Sequence, residues 1–217
     1  MDEFERLLKK YERVDKETGH EGELSYEAMG EQEEFVRIPK DRVAVLIGRK
    51  GGTKKEIEDR TKTKVEVDSE TGEVFITSTE ETDDPLAVWK ARDVVTAIGR
   101  GFSPERAFRL FNEGEVLEVV NLSDIVVGSE GHALPRVRGR IIGRKGRTRE
   151  IIEEMSGADI SVYGKTVAII GSPIQVEIAK TAIEKLVRGS PHSSVYRYLE
   201  RRKKDLKVEG AGYTLME

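Results

Sequence analysis

Two glycines bracket two cations twice in this chain. Ile47-Gly48-Arg49-Lys50-Gly51 recurs letter for letter as Ile142-Gly143-Arg144-Lys145-Gly146, an offset of 142 − 47 = 95 residues. The Gly-x-x-Gly spacing lets the backbone turn tightly and expose its amides. The segments just after the two turns, Gly52-Thr53-Lys54-Lys55-Glu56-Ile57-Glu58 and Arg147-Thr148-Arg149-Glu150-Ile151-Ile152-Glu153, each predict an amphipathic helix. A helix start offers unpaired N–H groups and the positive end of its dipole. With Arg49 and Lys50, or Arg144 and Lys145, standing on the turn, each copy reads as an anion site. Two such sites a domain apart point to a phosphate backbone.

The surroundings extend that reading. Lys54 in the first copy, and Arg138, Arg140, Arg147 and Arg149 in the second, add to the cationic lip. Val43, Ile47, Ile57, Val65 and Val67 are expected to line an apolar wall beside the first turn. Val137, Ile142, Ile152, Ile160 and Val162 should do the same beside the second. A groove with one apolar wall and one cationic lip suits a single nucleic-acid strand, bases to the wall and phosphates to the lip.

These turns need elements to hold them. Phe35 to Ile38 predicts a strand closed by Pro39, and Val43 to Ile47 a short helix stopped by Gly48. A helix over 52–61, strands over 64–68 and 74–77, and a helix opened by Asp84-Pro85 complete the first unit. Trp89 falls on the apolar face of that last helix and is expected in the core. Ser103-Pro104 caps a short helix, with Ala107, Leu110 and Phe111 on one face, expected to pack between the two halves. The second unit repeats the order: strand 116–120, an insertion 123–134, helix 136–142, the turn, helix 147–156, strands 159–163 and 167–170, and a helix opened by Ser172-Pro173. A last helix is expected over 194–206. The division is then an acidic, partly helical extension (1–33), a first domain (34–100), a linker helix (101–114), a second domain (115–190) and a basic C-terminal helix and tail (191–217).

Composition narrows the class. The 217 residues suit two small domains. No cysteine is present, which removes disulfides, thiolate metal sites and cysteine nucleophiles. His20, His132 and His192 are scattered without metal spacing and read as surface residues. Glu153-Glu154 reads as a solvated face. Gly51-Gly52-Thr53-Lys54 lacks the Gly-Lys-Ser/Thr of a nucleotide P-loop. No apolar run of membrane-spanning length and no signal-peptide core occur, so a cytoplasmic protein is expected. The net charge of −4 hides strong patterning. Acids lead bases 12 to 5 over 1–34, bases lead 10 to 5 over 35–67, and seven acids stand alone over 68–84. Over 134–152 there are seven bases and one acid, Glu150, so the basic patches sit on the repeats.

Val45-Leu46-Ile47-Gly48-Arg49-Lys50-Gly51 and Arg140-Ile141-Ile142-Gly143-Arg144-Lys145-Gly146, set in strand–helix–helix–strand–strand–helix order, resemble the signature of the type I KH domain over about residues 34–190. The resemblance implies an α+β fold, each unit a three-stranded antiparallel sheet on three helices. The paired modules, the acidic arm, Gly139 to Arg149 and the tail Ser194-Val195-Tyr196-Arg197-Tyr198-Leu199-Glu200 are together similar to the archaeal branch of the partner-of-Nob ribosomal RNA-processing family. That implies a non-catalytic small-subunit assembly factor. It would bind single-stranded pre-ribosomal RNA near the 3′ end of the small-subunit RNA, beside the endonuclease that trims it and other assembly proteins. No cofactor, metal or small-molecule substrate is expected. The chain departs from many KH modules at Lys54 and Arg149, where an aliphatic residue is usual, which makes the lip more basic. A protein-interaction scaffold, in which one module docks a protein instead of RNA, stays open as the alternative. A hidden nuclease is opposed by the lack of a histidine pair or a carboxylate cluster in the basic grooves. Arg201 to Lys204 reads as a solvated helix face or as an extension of the RNA surface.

Overall fold

The computed structural model describes residues 32–125 and 133–213, the last eight by backbone alone. The expected N-terminal helix and acidic arm, His20 and His132 lie outside the described residues. The first repeat runs β1 (Glu33–Arg37), α1 (Lys40–Ile47), the Gly-x-x-Gly turn, α2 (Gly52–Thr61), β2 (Thr63–Val67), β3 (Glu73–Ser78) and α3 (Ala87–Gly99). A linker comes next: α4 (Pro104–Ala107), continued by a 3₁₀ turn over Phe108–Phe111. The second repeat runs β4 (Val116–Asn121), α5 (Leu122–Ile125), α6 (Ala133–Ile142), its own turn, α7 (Arg147–Ser156), β5 (Asp159–Tyr163), β6 (Thr166–Gly171) and α8 (Pro173–Val187). Helix α9 (His192–Tyr213) closes the described chain.

Both sheets are antiparallel and three-stranded, ordered β1-β3-β2 and β4-β6-β5. In each, the strand after the second helix is an edge strand, and one of its free amides bonds a glutamate of that helix. The registers match as well: Val74 pairs with Val36 and Val67, and Val167 with Val120 and Val162. The α+β fold and the order of elements agree with the sequence reading, except that the short helix α5 stands at the start of the expected insertion.

Alternation sends Val65, Val74 and Ile76 inward in the first sheet, onto Val43 and Leu46 of α1, Ile57 of α2 and Val94 and Ile98 of α3. Leu46 is fully buried; truncating such a side chain to Ala costs about 2–5 kcal/mol. Strand β6 differs from β3, being buried on both faces along Thr-Val-Ala-Ile-Ile-Gly. Val167 and Ile169 enter its own core, while Ala168 and Ile170 join the core of the first repeat with Phe102, Ala107 and Leu110. The linker thus lies against the outer face of the second sheet. That face carries the polar clasp too: both Arg106 and Arg109 donate to Asp159, Arg106 also to Glu153, and Arg109 to Gln175. The matching positions of the first sheet, Phe35 and Phe75, pack against each other with ring centroids 5.2 Å apart and planes tilted by 52°, and stay exposed.

Three local expectations change. Pro85 is not the first residue of α3. It sits in a turn closed by the Ala87 amide on the Asp84 carbonyl, and Asp84 accepts from the Leu86 amide, so the helix opens at Ala87. Ser172-Pro173 does open α8, through a reciprocal cap with Gln175. Trp89 is 41% exposed instead of core, its indole N–H donating to Glu34. Helices α1 and α6 each start three residues earlier than their apolar pattern indicates: the first turn of α1 is polar and carries no periodic signal, and α6 takes in Ala133-Leu134-Pro135, its proline lying in the first turn, where no amide donor is needed.

Candidate nucleic-acid interface

The two turns have one conformation. Gly48 and Gly143 take φ 72°, ψ 178° and φ 73°, ψ 178°. Lys50 and Lys145 take φ 53° with ψ 32° and 30°. Gly51 and Gly146 take φ 77° and 82°. Within each turn the second glycine's amide donates to the first glycine's carbonyl at 3.3 Å. A lysine held in the left-handed region costs about 1–2 kcal/mol. Both copies accept that cost at the same place, which points the pair of side chains outward.

The glycines are needed for space as well as for φ. A β-carbon on Gly48 would lie 2.2 Å from the Thr53 hydroxyl, and one on Gly143 the same distance from that of Thr148. Thr53 and Thr148 fill the floor of their turns. Neither α2 nor α7 has a side-chain cap; Gly51 and Gly146 occupy that position. The first-turn amides of both helices are therefore left for solvent or an anion. Arg49, Lys50, Arg144 and Lys145 are exposed and form no ion pair with the described residues. Two glutamates hold the rest of the frame. Glu58 accepts from the Val65 amide at 2.9 Å and Glu153 from the Ile160 amide at 2.8 Å. The offsets agree, 153 − 58 = 95 and 160 − 65 = 95. Glu153 is thus a clamp between α7 and the edge strand, not part of a solvated face.

The remaining site residues divide. Val43, Ile57, Val65, Val137, Ile152 and Ile160 are buried in the two cores and offer no surface to a ligand. They were expected on the groove because apolar pattern alone cannot separate core from wall. Ile47, Val67, Ile142 and Val162 are half-buried at the groove position. Lys54 is spent on Glu58 at 3.2 Å, and Arg149 lies 3.7 Å from Glu153, so the extra basicity at these two positions is largely neutralised. Arg147 is exposed with only a loose contact to Glu150 at 3.5 Å. Arg138 is half-buried.

Arg140 is not on the lip. Its guanidinium donates to the carbonyls of Leu186 and Ser190 at the end of α8, at 3.2 and 2.6 Å. In the first repeat Arg42 makes the equivalent bonds, to Ile98 at 2.8 Å and Phe102 at 2.5 Å. The carbonyls share one offset, 186 − 98 = 88 and 190 − 102 = 88. The arginines are 98 apart, three more than the turns, so each sits on a different turn of its helix and does the same work.

Sequence reading missed what α9 does here. The Tyr196 hydroxyl lies 3.3 Å from that of Thr148, under the second turn, and His192 bonds the Arg140 carbonyl through Nε2 at 3.0 Å. Both partners lie about fifty residues away, beyond any local pattern. At the joint between repeats, the Tyr163 hydroxyl donates to Asp41, which holds the phenol above its ordinary pKa, and Arg42 stands over the ring. Among the described residues no group of three acids or histidines could hold a metal, and no helix is long and apolar enough to cross a membrane.

Residues 33–88 match the KH domain family, and residues 116–204 match the eukaryotic-type KH domain of type I found as the second KH domain of PNO1. A KH domain-containing protein of Methanocaldococcus jannaschii is 49% identical over 174 residues, 80% of this chain and 75% of the relative. The RNA-binding protein pno1 of Dictyostelium discoideum is 29% identical over 170 residues, 78% of this chain and 71% of its own length. A chain in the crystal structure of the a/eIF2alpha–aDim2p–rRNA complex of Pyrococcus horikoshii superposes with a TM-score of 0.78 at 79% identity, covering 83% of this chain and 98% of that one.

Proposed function

The chain belongs to the PNO1/Dim2 family of tandem KH-domain proteins, and from that footing we propose that it binds single-stranded ribosomal RNA during processing and assembly of the small subunit. The observation that carries the proposal is the identity of the two turns. Each presents a helix start without a side-chain cap and two exposed cations with no ion-pair partner among the described residues, in the same backbone conformation.

The physical work divides by residue. The first-turn amides of α2 and α7 receive a phosphate, Arg49 and Lys50 or Arg144 and Lys145 close over it, and the glycines let the strand approach the backbone. Ile47 with Val67, and Ile142 with Val162, give unstacked bases an apolar surface. Arg147 extends the second lip. The modules span 34–100 and 115–190. The protein acts by holding RNA, without catalysis, in the cytoplasm. Its site is near the 3′ end of the small-subunit RNA, beside the endonuclease that trims it. The named relatives support this reading: the Dictyostelium one is called an RNA-binding protein, and the aDim2p chain is in a complex with rRNA and a/eIF2alpha.

Competition by fluorescence anisotropy tests the proposal. A labelled single-stranded RNA bound to the full chain should be displaced by unlabelled single strand and far less by a fully paired hairpin of the same length. Equal displacement by the duplex contradicts it, because a paired strand cannot turn its bases to the apolar wall.

A further inference from the structure

Among the described residues, helix α9 is what the second module has and the first lacks. It docks firmly: Val195 and Leu199 are fully buried in the second core. It runs alongside α7 in the same direction, with Tyr196 at Thr148 near the start of α7 and the Lys203 ammonium on the Glu154 carbonyl near its end. The match to the second-module family continues to residue 204, so this helix belongs to the module.

On its other flank α9 forms an open cleft with α8. Lys185 of α8 and Arg197, Arg201 and Lys204 of α9 line it, with the Ser194 hydroxyl at one end. The three α9 cations recur at i, i+4 and i+7, one exposed stripe about 10 Å long at 1.5 Å per residue. Two acids also line the cleft, Glu200 and Asp205, and the latter is drawn toward Arg202 at 3.8 Å. Among the described residues Arg197, Arg201 and Lys204 have no ion-pair partner. Lys185 stands 5.4 Å from the centre of the Tyr198 ring, which holds its ammonium at the cleft wall. In a chain whose net charge is −4, a row of unpaired cations on a rigidly docked helix is a local field, not a compositional accident.

We infer that the α8–α9 cleft is a further phosphate-binding site of the second module, which takes the backbone of the RNA strand where it leaves the second Gly-x-x-Gly turn. The inference rests on the RNA-binding function proposed above and extends it. The two sites are close along the chain: the turn sits on Thr148, Thr148 meets Tyr196, and Arg197, the first cation of the cleft, is the next residue of α9. Guanidinium forks and an ammonium suit phosphodiester oxygens, and a backbone site needs no base-specific contact.

The test uses the full chain and two single-stranded RNAs. One is about four nucleotides long, the length a single KH groove clamps, and the other about twelve. The variant is R197Q/R201Q/K204Q, three solvent-facing changes that spare Val195 and Leu199, with K185Q as an independent change on the opposite wall. For the long RNA the triple variant should lose at least tenfold in affinity, and its log-affinity against log-salt slope should become shallower by about 2, at about 0.7 per phosphate contact. For the short RNA it should bind as the parent does. K185Q should show a smaller loss in the same direction. Parental affinity and slope on the long RNA, in a variant with the parent's melting temperature, overturns the inference and leaves the cleft to an acidic protein. If the parent binds neither RNA, the proposed function falls and this inference falls with it. Loss on both RNAs overturns it as well, since the helix then acts only by supporting the turn.

Discussion

Arg140 donates from Nε to the Leu186 carbonyl at 3.2 Å, so a cation in the densest basic run of the chain ties α6 to the end of α8. Its second bond, to the Ser190 carbonyl, reaches the loop just after α8. Arg140→Ala should therefore lower stability by about 1–3 kcal/mol, the scale of charged hydrogen bonds to buried acceptors. RNA affinity of the folded variant should stay close to the parent's. Arg144→Ala should show the reverse, with stability kept and affinity lost. Urea titrations beside anisotropy at one salt concentration separate the two; matching phenotypes would contradict the assignment.

The glycines of each turn have unequal roles. Gly48→Ala must place a β-carbon against Thr53 while holding a positive φ, whereas Gly51→Ala meets open space. We expect the first to cost about 2–5 kcal/mol, strain plus overpacking, and the second about 1–2 kcal/mol from strain alone. Gly143→Ala and Gly146→Ala should rank the same way. Equal losses in urea would mean that the threonine floor yields.

The clasp between linker and second module is a coupled network. Asp159 receives Arg106 on one carboxylate oxygen, at 2.7 Å, and Arg109 on the other, at 3.1 Å. A double-mutant cycle with Arg106→Met and Asp159→Asn should return a coupling energy of about 1–2 kcal/mol. A value near zero would show that Ala107, Leu110 and Phe102 hold the linker without help from charge.

Acid sensitivity arises at Asp84. The Lys90 ammonium, and after it the Leu86 amide, hold its carboxyl below the usual carboxylate range. The folded chain therefore binds this proton less readily than the unfolded one. The stability it contributes is present above the unfolded value, about 3.9, and is lost as pH falls through the folded value. Asp84→Asn should be less stable than the parent at pH 7, and the gap should close toward pH 2. A gap that does not change with pH would rule out the carboxylate as its source.

Much of the fold was legible because it is periodic and stated twice. The strand alternation of Lys64 to Asp68, the helix stops at Gly48 and Gly143 and the Ser172-Pro173 cap each arise from local chemistry, and the structure has them. The continuous apolar run Val167 to Ile170 already reads as a strand, but that both its faces are covered depends on the linker, which no local pattern shows. The lip of the site was half legible. The turn cations stand exposed, yet Lys54, Arg140 and Arg149 are engaged by Glu58, by helix-end carbonyls and by Glu153. Charge counts cannot show such pairing. Nor could they show that Arg42 and Arg140 do one job from different helical turns, because the repeat in the sequence aligns each with a valine. Once these cations are taken out, the two lips are closer in strength than the raw count of seven bases suggests. Among the described residues, what distinguishes the second module is α9.

The central claim is that both turns hold RNA by its backbone. The most direct measurement replaces Arg49-Lys50 by Asp-Asp in one variant of the full chain and Arg144-Lys145 by Asp-Asp in another. Aspartate tolerates the left-handed backbone at the second position, so both should fold. Affinity for a single-stranded RNA of about ten nucleotides is then read across a salt series. With two to three phosphates per turn, each variant should bind more weakly and its slope should become shallower by about 1.4–2. The second-turn variant should lose more, because α9 can no longer act in register with it. Both variants binding with the parent's affinity and the parent's slope would contradict the account.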